Sequence, residues 1–249
     1  MKRNRFLQTL LFLLVCFFTL NGCEKKQENV KILVVTGGHD FNEEVFFRMM
    51  DNFEGIEYDR AEHPAAHALL KKEAISKYDA VLLYDMPQEI DKEAQDNFIA
   101  MLRDGKGLVV LHHAFCSYDE SWPEYTLIAG GRYHHYQWEK EGAPQPPSGY
   151  EHDAILNIKV EDTNHPITQG VSDFQIIDEI YSGVEILPNV HPLLSADKPS
   201  AGRLFGWTNN YAGSRVATLL LGHDEKAWNN PAFSRLLRQS LVWAAKSDK

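Results

Sequence analysis

Apolar runs alternate with amphipathic stretches through the first half of the chain. Residues 30–36 (VKILVVT) form an unbroken, largely β-branched run closed by Gly37 and Gly38, the pattern of a parallel strand covered on both faces. Apolar side chains then recur at helical spacing in Val45, Phe46, Met49, Met50 and Phe53, and residues 56–60 predict a short second strand. Residues 67–75 predict a helix and residues 79–84 (DAVLLY) another buried strand. Asp91 is the expected cap of a helix whose inner face is Ala94, Phe98, Met101 and Leu102. Gly105 and Gly107 bracket the end of that helix before a fourth strand, residues 108–111.

Strand and helix in alternation predict an α/β fold with a doubly wound, flavodoxin-like, mostly parallel sheet, whose ligands sit beyond the carboxyl ends of the strands. The loops expected to carry function are residues 37–42, 84–89 and the stretch from His112 onward. From Glu151 the texture changes: residues 154–160 alternate apolar with polar, residues 176–181 and 192–195 follow, and residues 215–221 are strongly β-like. An additional β-rich C-terminal half is expected, extending the sheet or forming an antiparallel layer beside it. Asn230 and Pro231 start a last helix that buries Phe233, Leu236, Leu237, Leu241 and Ala244.

The N-terminus reads as a secretion signal. Lys2, Arg3 and Arg5 precede an apolar run at residues 10–20, which is shorter than the roughly 20 residues a stable membrane span needs. It ends in Leu20-Asn21-Gly22-Cys23, which resembles the lipobox of bacterial lipoproteins, although Asn21 stands where a small residue is usual. Residues 1–22 are then a leader, Cys23 the lipidated N-terminus on a membrane, residues 23–29 a polar tether, and residues 30–249 one domain of the cell envelope. An ordinary cleaved signal is the alternative, and it also places the mature chain outside the cytoplasm. Cys16 leaves with the leader and Cys23 would be acylated, so Cys116 alone remains and no internal disulfide is available. Loss of the three basic leader residues takes the formal charge from −10 to −13, which argues against nucleic acid and anionic lipid as partners.

Eleven histidines matter here for their placement. His39, His112, His113 and His223 directly follow expected strands, and His134 and His135 lie in a long aromatic loop. A parallel sheet would bring the first four to one rim, where imidazoles can move protons, bind a metal or hydrogen-bond a sugar hydroxyl. Strand alternation sends one ring of His112-His113 to the cleft and the other inward, and His112 is the expected site residue. Asp40 and Glu43 match a capping box at a helix start. His63, His67, His165 and His191 sit beside prolines or on helix and turn surfaces and carry no signal. Asp178-Glu179 is an acidic pair inside an apolar segment, where burying a carboxylate costs free energy unless it is paired; a general base, a histidine-orienting carboxylate and a salt bridge all fit. Trp122, Tyr125, Tyr133, Tyr136, Trp138 and Tyr150 suit stacking on sugar rings, and packing within the loop explains each of them too.

Taken in order, VVTGGHDF, GLVVLHHAF, LIAGGRYHHY, NHPITQGVSDFQIIDEIY, RVATLLLGHD, WNNPAF and LVWAA resemble the ThuA-like (trehalose-utilisation) family, whose fold is similar to that of class I glutamine amidotransferases. The resemblance spans nearly the whole mature chain. It implies that His112, Gly130 and Gly131 with His134 or His135, Asp178 with Glu179 and Tyr181, and Gly222 with His223 and Asp224 are the family's recurrent features. It also implies a link to disaccharide catabolism, particularly to keto forms of trehalose and related glucosides. Amidotransferases place a reactive cysteine at the turn after the GLVVL-type strand; here that turn holds His112 and His113, and Cys116 comes too late for thiolate chemistry.

Three functions follow as expectations. The first is an envelope enzyme acting on a glycoside or keto-glycoside, with His112, Glu179 and Asp178 as the acid–base groups and His39, His113, His134, His135, Tyr181 and His223 holding a small carbohydrate. The second is a sugar-binding lipoprotein without catalysis. The third is a hydrolase with zinc or another divalent metal in the histidine cluster, although no H-E-x-x-H spacing is present. The sequence does not fix the oligomeric state.

Overall fold

The computed structural model describes residues 29–118, 121–198 and 202–246; the expected leader, Cys23 and the tether up to residue 28 lie outside them. Nine strands form one sheet: β1 (Val30–Gly37), β2 (Ile56–Glu62), β3 (Ala80–Asp85), β4 (Gly107–Leu111), β5 (Gly149–Val160), β6 (Phe174–Ser182), β7 (His191–Ala196), β8 (Leu204–Tyr211) and β9 (Ser214–Leu219). Their spatial order is β2-β1-β3-β4-β9-β8-β7-β5-β6. Pairing is parallel from β2 to β9 and antiparallel from β9 onward.

The central strands carry apolar side chains on both faces over most of their length because both faces are covered. Ile32 and Val34 of β1, Leu82 and Tyr84 of β3, and Val109 and Leu111 of β4 enter one core, together with α1 (Glu43–Asp51) and a long C-terminal helix, Pro231–Ala245. Their neighbours Leu33, Val35, Val81, Leu83, Leu108 and Val110 enter a second core with Phe98, Met101 and Leu102 of the helix Lys92–Arg103. This is a doubly wound arrangement. At the foot of β4, Gly107 is required by packing: a Cβ there would stand 2.1 Å from the Ala244 carbonyl oxygen, so a side chain would push the C-terminal helix off the sheet.

Local chemistry sets the helix starts. Asp91 accepts from the Ala94 amide, and Asn230 accepts from the Ala232 and Phe233 amides ahead of Pro231 at the first helical turn. The cap of α1 is Asn42, whose side chain accepts from the Val45 amide, and not Asp40 as the capping-box spacing predicted. The helix expected over residues 67–75 is a 3-10 turn, Ala65–Leu70, and a short helix, Lys72–Ile75, divided where Lys71 is extended. No helix among the described residues is long and apolar enough to cross a membrane.

Candidate functional site

Four parallel strands end at one edge and deliver their loops there: His39 after β1, Met86 after β3, His112 and His113 after β4, and Gly222-His223 after β9. The β5–β6 hairpin closes over the same edge and adds His152, Glu179 and Tyr181.

Strand β4 stops at Leu111, and the chain turns at once with His112 at φ 49, a left-handed conformation that is costly for a residue with a Cβ. Alternation therefore does not continue into the pair as the sequence suggested. The His112 ring is fully buried, while His113 is the one that lines the cavity. His112 Nδ1 lies 2.8 Å from the Leu220 carbonyl oxygen. A carbonyl only accepts, so Nδ1 carries the proton, and in the neutral ring Nε2 offers a lone pair. Around Nε2 stand the Tyr181 hydroxyl at 3.0 Å, His223 Nδ1 at 3.2 Å and Glu179 Oε1 at 3.4 Å.

Glu179 divides its two oxygens between two environments. Oε1 faces His112 and His223, and Oε2 lies 2.9 Å from Nδ1 of His152, whose side chain is half exposed. Burial raises the carboxyl's proton affinity, but the hydrogen bond and charge of His112, with the charges of His223 and His152, outweigh it and hold Glu179 below the usual carboxylate range. Burial and the neighbouring His112 depress the pKa of His223, and burial with three surrounding imidazoles depresses that of His113 well below the ordinary histidine value.

His152 reaches Glu179 through a β-bulge. Glu151 pairs with Ile180 and Ala154 with Asp178, so His152 and Asp153, the latter at φ 57, lie opposite Glu179 alone. Nothing in the alternation of residues 154–160 announced this, and the strand itself starts at Gly149.

Asp178, expected as a catalytic partner of Glu179, turns to the other face of β6, as adjacent strand residues must. Its carboxylate accepts from the amides of Gly222 at 2.7 Å, His223 at 3.0 Å and Glu179 at 2.8 Å. It therefore holds the loop that carries His223. Burial raises its pKa to about 6 in spite of those bonds. Asp178→Asn puts an amide donor among backbone donors; a stability loss of about 1–3 kcal/mol is expected in urea unfolding, and an unchanged midpoint would show that the clamp is dispensable.

The cavity beside Glu179 has a volume of about 300 Å³. Of the expected ligand-binding residues, His39, His113, His135 and Tyr181 line it. His223 lines an adjoining cavity, and the two share His39. His134 does not take part. Its ring stacks on Trp138 at 4.0 Å and its Nε2 meets Glu185 at 3.1 Å, because Tyr133 and His135 take the cavity side of that segment. Tyr133, Tyr150, Met86 and His152 complete the wall. The two tyrosines belong to the aromatic set visible in sequence and Met86 lies in the 84–89 loop expected to carry function, while His152 carried no signal. Cys116 also borders the cavity, and burial pushes its thiol well above the ordinary value, away from a reactive thiolate.

A family model described as ThuA, trehalose utilisation, matches residues 31–244. No curated protein matches the chain. Among solved structures, a ThuA-like protein from Parabacteroides merdae superposes with a TM-score of 0.74 at 21% identity, covering 89% of this chain and 92% of that one. A ThuA-like protein from Bacteroides uniformis gives 0.63 at 19% identity, covering 88% and 92%. These likenesses extend the shared fold over nearly all of the described residues.

Proposed function

Because the chain belongs to the ThuA family of trehalose utilisation, we propose that it is an enzyme of carbohydrate metabolism that binds a disaccharide, glycoside or keto-glycoside in the cavity and moves a proton at Glu179. The observation that carries this reading is the divided carboxylate of Glu179: one oxygen is anchored among buried His112 and His223, and the other is paired with half-exposed His152 beside the cavity. A carboxylate held in that way keeps its charge and has a route for a proton towards solvent. In a keto-sugar the ketone acidifies the neighbouring C–H, which is the kind of proton a positioned carboxylate can take. His39, His113 and His135 supply hydrogen-bonding edges, and Tyr133 and Tyr150 supply rings for the apolar face of a sugar. The cavity is of the smallest size usual for small-molecule sites. His112 is fully buried and acts by orienting Glu179.

Purified protein incubated with a panel of disaccharides and their 3-keto forms, followed by mass spectrometry and NMR, tests the proposal. Conversion of at least one keto-glycoside is expected. Saturable binding without conversion would replace the enzyme with a sugar-binding protein, and neither binding nor conversion would remove carbohydrate from the reading.

The leader and Cys23 support an envelope location with a lipid anchor. Cys23→Ser is expected to abolish incorporation of labelled palmitate in cells and to move the protein from the membrane to the soluble fraction; continued labelling would sink the assignment of that cysteine.

A further inference from the structure

We infer that His112, Glu179 and His223 form a binding site for one divalent transition-metal ion, with zinc the simplest occupant. The inference rests on placing the chemistry at this cluster, and not on which sugar is bound.

Three observations support it. His112 Nε2, Glu179 Oε1 and His223 Nδ1 form a triangle with sides of 3.2, 3.4 and 3.8 Å. A tetrahedral ion at zinc's usual bond lengths separates its ligands by roughly 3.4 Å, close to the mean of these sides, so side-chain shifts of about a few tenths of an ångström would bring all three atoms to bonding distance of one ion. Among the described residues this is the trio of histidine, cysteine and carboxylate groups whose ligand atoms all lie within 4.8 Å of one another.

The second observation concerns lone pairs. The Leu220 carbonyl fixes a proton on His112 Nδ1, which leaves Nε2 as the ring atom that meets a carboxylate oxygen, a second imidazole nitrogen and the Tyr181 hydroxyl. The Tyr181 hydroxyl is the donor at hand for Nε2, and a cation placed among the three ligand atoms serves the carboxylate and both nitrogens together. A proton on His223 can fill the gap, and a metal ion that replaces it brings two charges and satisfies all three atoms at once.

The third is the support behind each ligand. His112 is fixed by the Leu220 carbonyl, the free oxygen of Glu179 by His152, and the backbone of His223 by Asp178. Such outer partners hold metal ligands in orientation before the ion arrives. Two imidazoles and one carboxylate are donors suited to zinc and its first-row neighbours rather than to magnesium or calcium.

Chelator-stripped protein titrated with Zn²⁺ by calorimetry is expected to take up about one ion per chain, and Co²⁺ is expected to give the visible absorption of a low-coordinate site. Glu179→Gln and His223→Ala should each weaken uptake by about tenfold or more, whereas His191→Ala, at the exposed His191–Asp162 pair, should leave it unchanged. His223→Cys keeps a ligand at that position and should retain Co²⁺ with a new sulfur-to-metal charge-transfer band, which a merely misfolded protein would lack. Absence of saturable uptake by the wild type, or uptake that ignores both Glu179→Gln and His223→Ala, overturns the site. Uptake in a protein that neither binds nor converts a sugar supports the ion and sinks the carbohydrate reading; sugar turnover by protein that takes up no ion does the reverse.

Discussion

Glu179→Gln is expected to lower kcat for keto-glycoside turnover by about 10²–10⁴-fold, or roughly 3–5 kcal/mol of barrier, the range for removal of a general base. The substitution keeps the volume and trigonal shape of the side chain, so the surrounding imidazoles and Tyr181 keep their places and the fold should persist. What disappears is the basic oxygen beside His152 and the charge that His112 and His223 surround. KM should change much less than kcat if the sugar is held mainly by the cavity walls. His152→Ala should cost less, since its ring is half exposed and the carboxylate survives its loss. The pH profile gives an independent check. The net effect of its neighbours is to depress the pKa of Glu179, so the charged form is present above that value and is lost only as pH falls through it. The acid limb of kcat/KM assigned to Glu179 should therefore lie below the usual carboxylate range and vanish in Glu179→Gln. Turnover by this substitution within a few-fold of wild type would end the proposal for Glu179.

The parallel core was legible because its strands are buried on both faces and so are apolar in consecutive positions rather than alternating ones. Residues 30–36, 79–84 and 108–111 match β1, β3 and β4 closely for that reason. Strand β8 was not visible. Its sequence, LFGWTNNY, mixes a glycine, polar residues and three aromatics, and it is a strand because β7 and β9 pair with it on either side. The start of α1 was misread since Asp40 and Asn42 are both good caps, and only the path of the chain after Gly38 decides which of them meets a free amide.

Candidate site residues that follow strands were legible from topology alone, because parallel strands carry their carboxyl ends to one edge. That logic finds His39, His112, His113 and His223 without coordinates. It fails for groups placed by local irregularity. The bulge at His152-Asp153 brings a histidine to Glu179 with no trace in the hydrophobic pattern, and the left-handed turn at His112 reverses which of two adjacent rings faces the cavity. Asp178 and His134 illustrate the opposite error, where nearness in sequence suggested a shared role and alternation of side chains separated them from Glu179 and His135.

Tyr84→Ala is expected to destabilise the protein by about 3–5 kcal/mol, the loss seen on truncating a large buried aromatic ring. Tyr84 is fully buried, stacks on Phe46 of α1 at 4.5 Å and lies 4.2 Å from the His113 ring. It also ties this core to the candidate site. Its hydroxyl donates to the carbonyls of Gly222 at 2.9 Å and His223 at 3.0 Å, while Trp228 Nε1 donates to the same Gly222 carbonyl at 2.8 Å. Gly222 has φ +116 and lies too close to Phe233 for a side chain, so its loop is held from the core side by Tyr84 and Trp228 and from the hairpin side by Asp178. Tyr84→Phe keeps the ring and removes only the hydroxyl, for which about 1 kcal/mol is expected, because Trp228 still serves the Gly222 carbonyl. The two substitutions thereby separate packing from positioning: Ala should shift the urea midpoint strongly, whereas Phe should shift it little and yet loosen His223. If Tyr84→Phe leaves both sugar turnover and zinc uptake at wild-type values, the loop is held well enough by Asp178 and Trp228, and the hydroxyl has no part in placing His223.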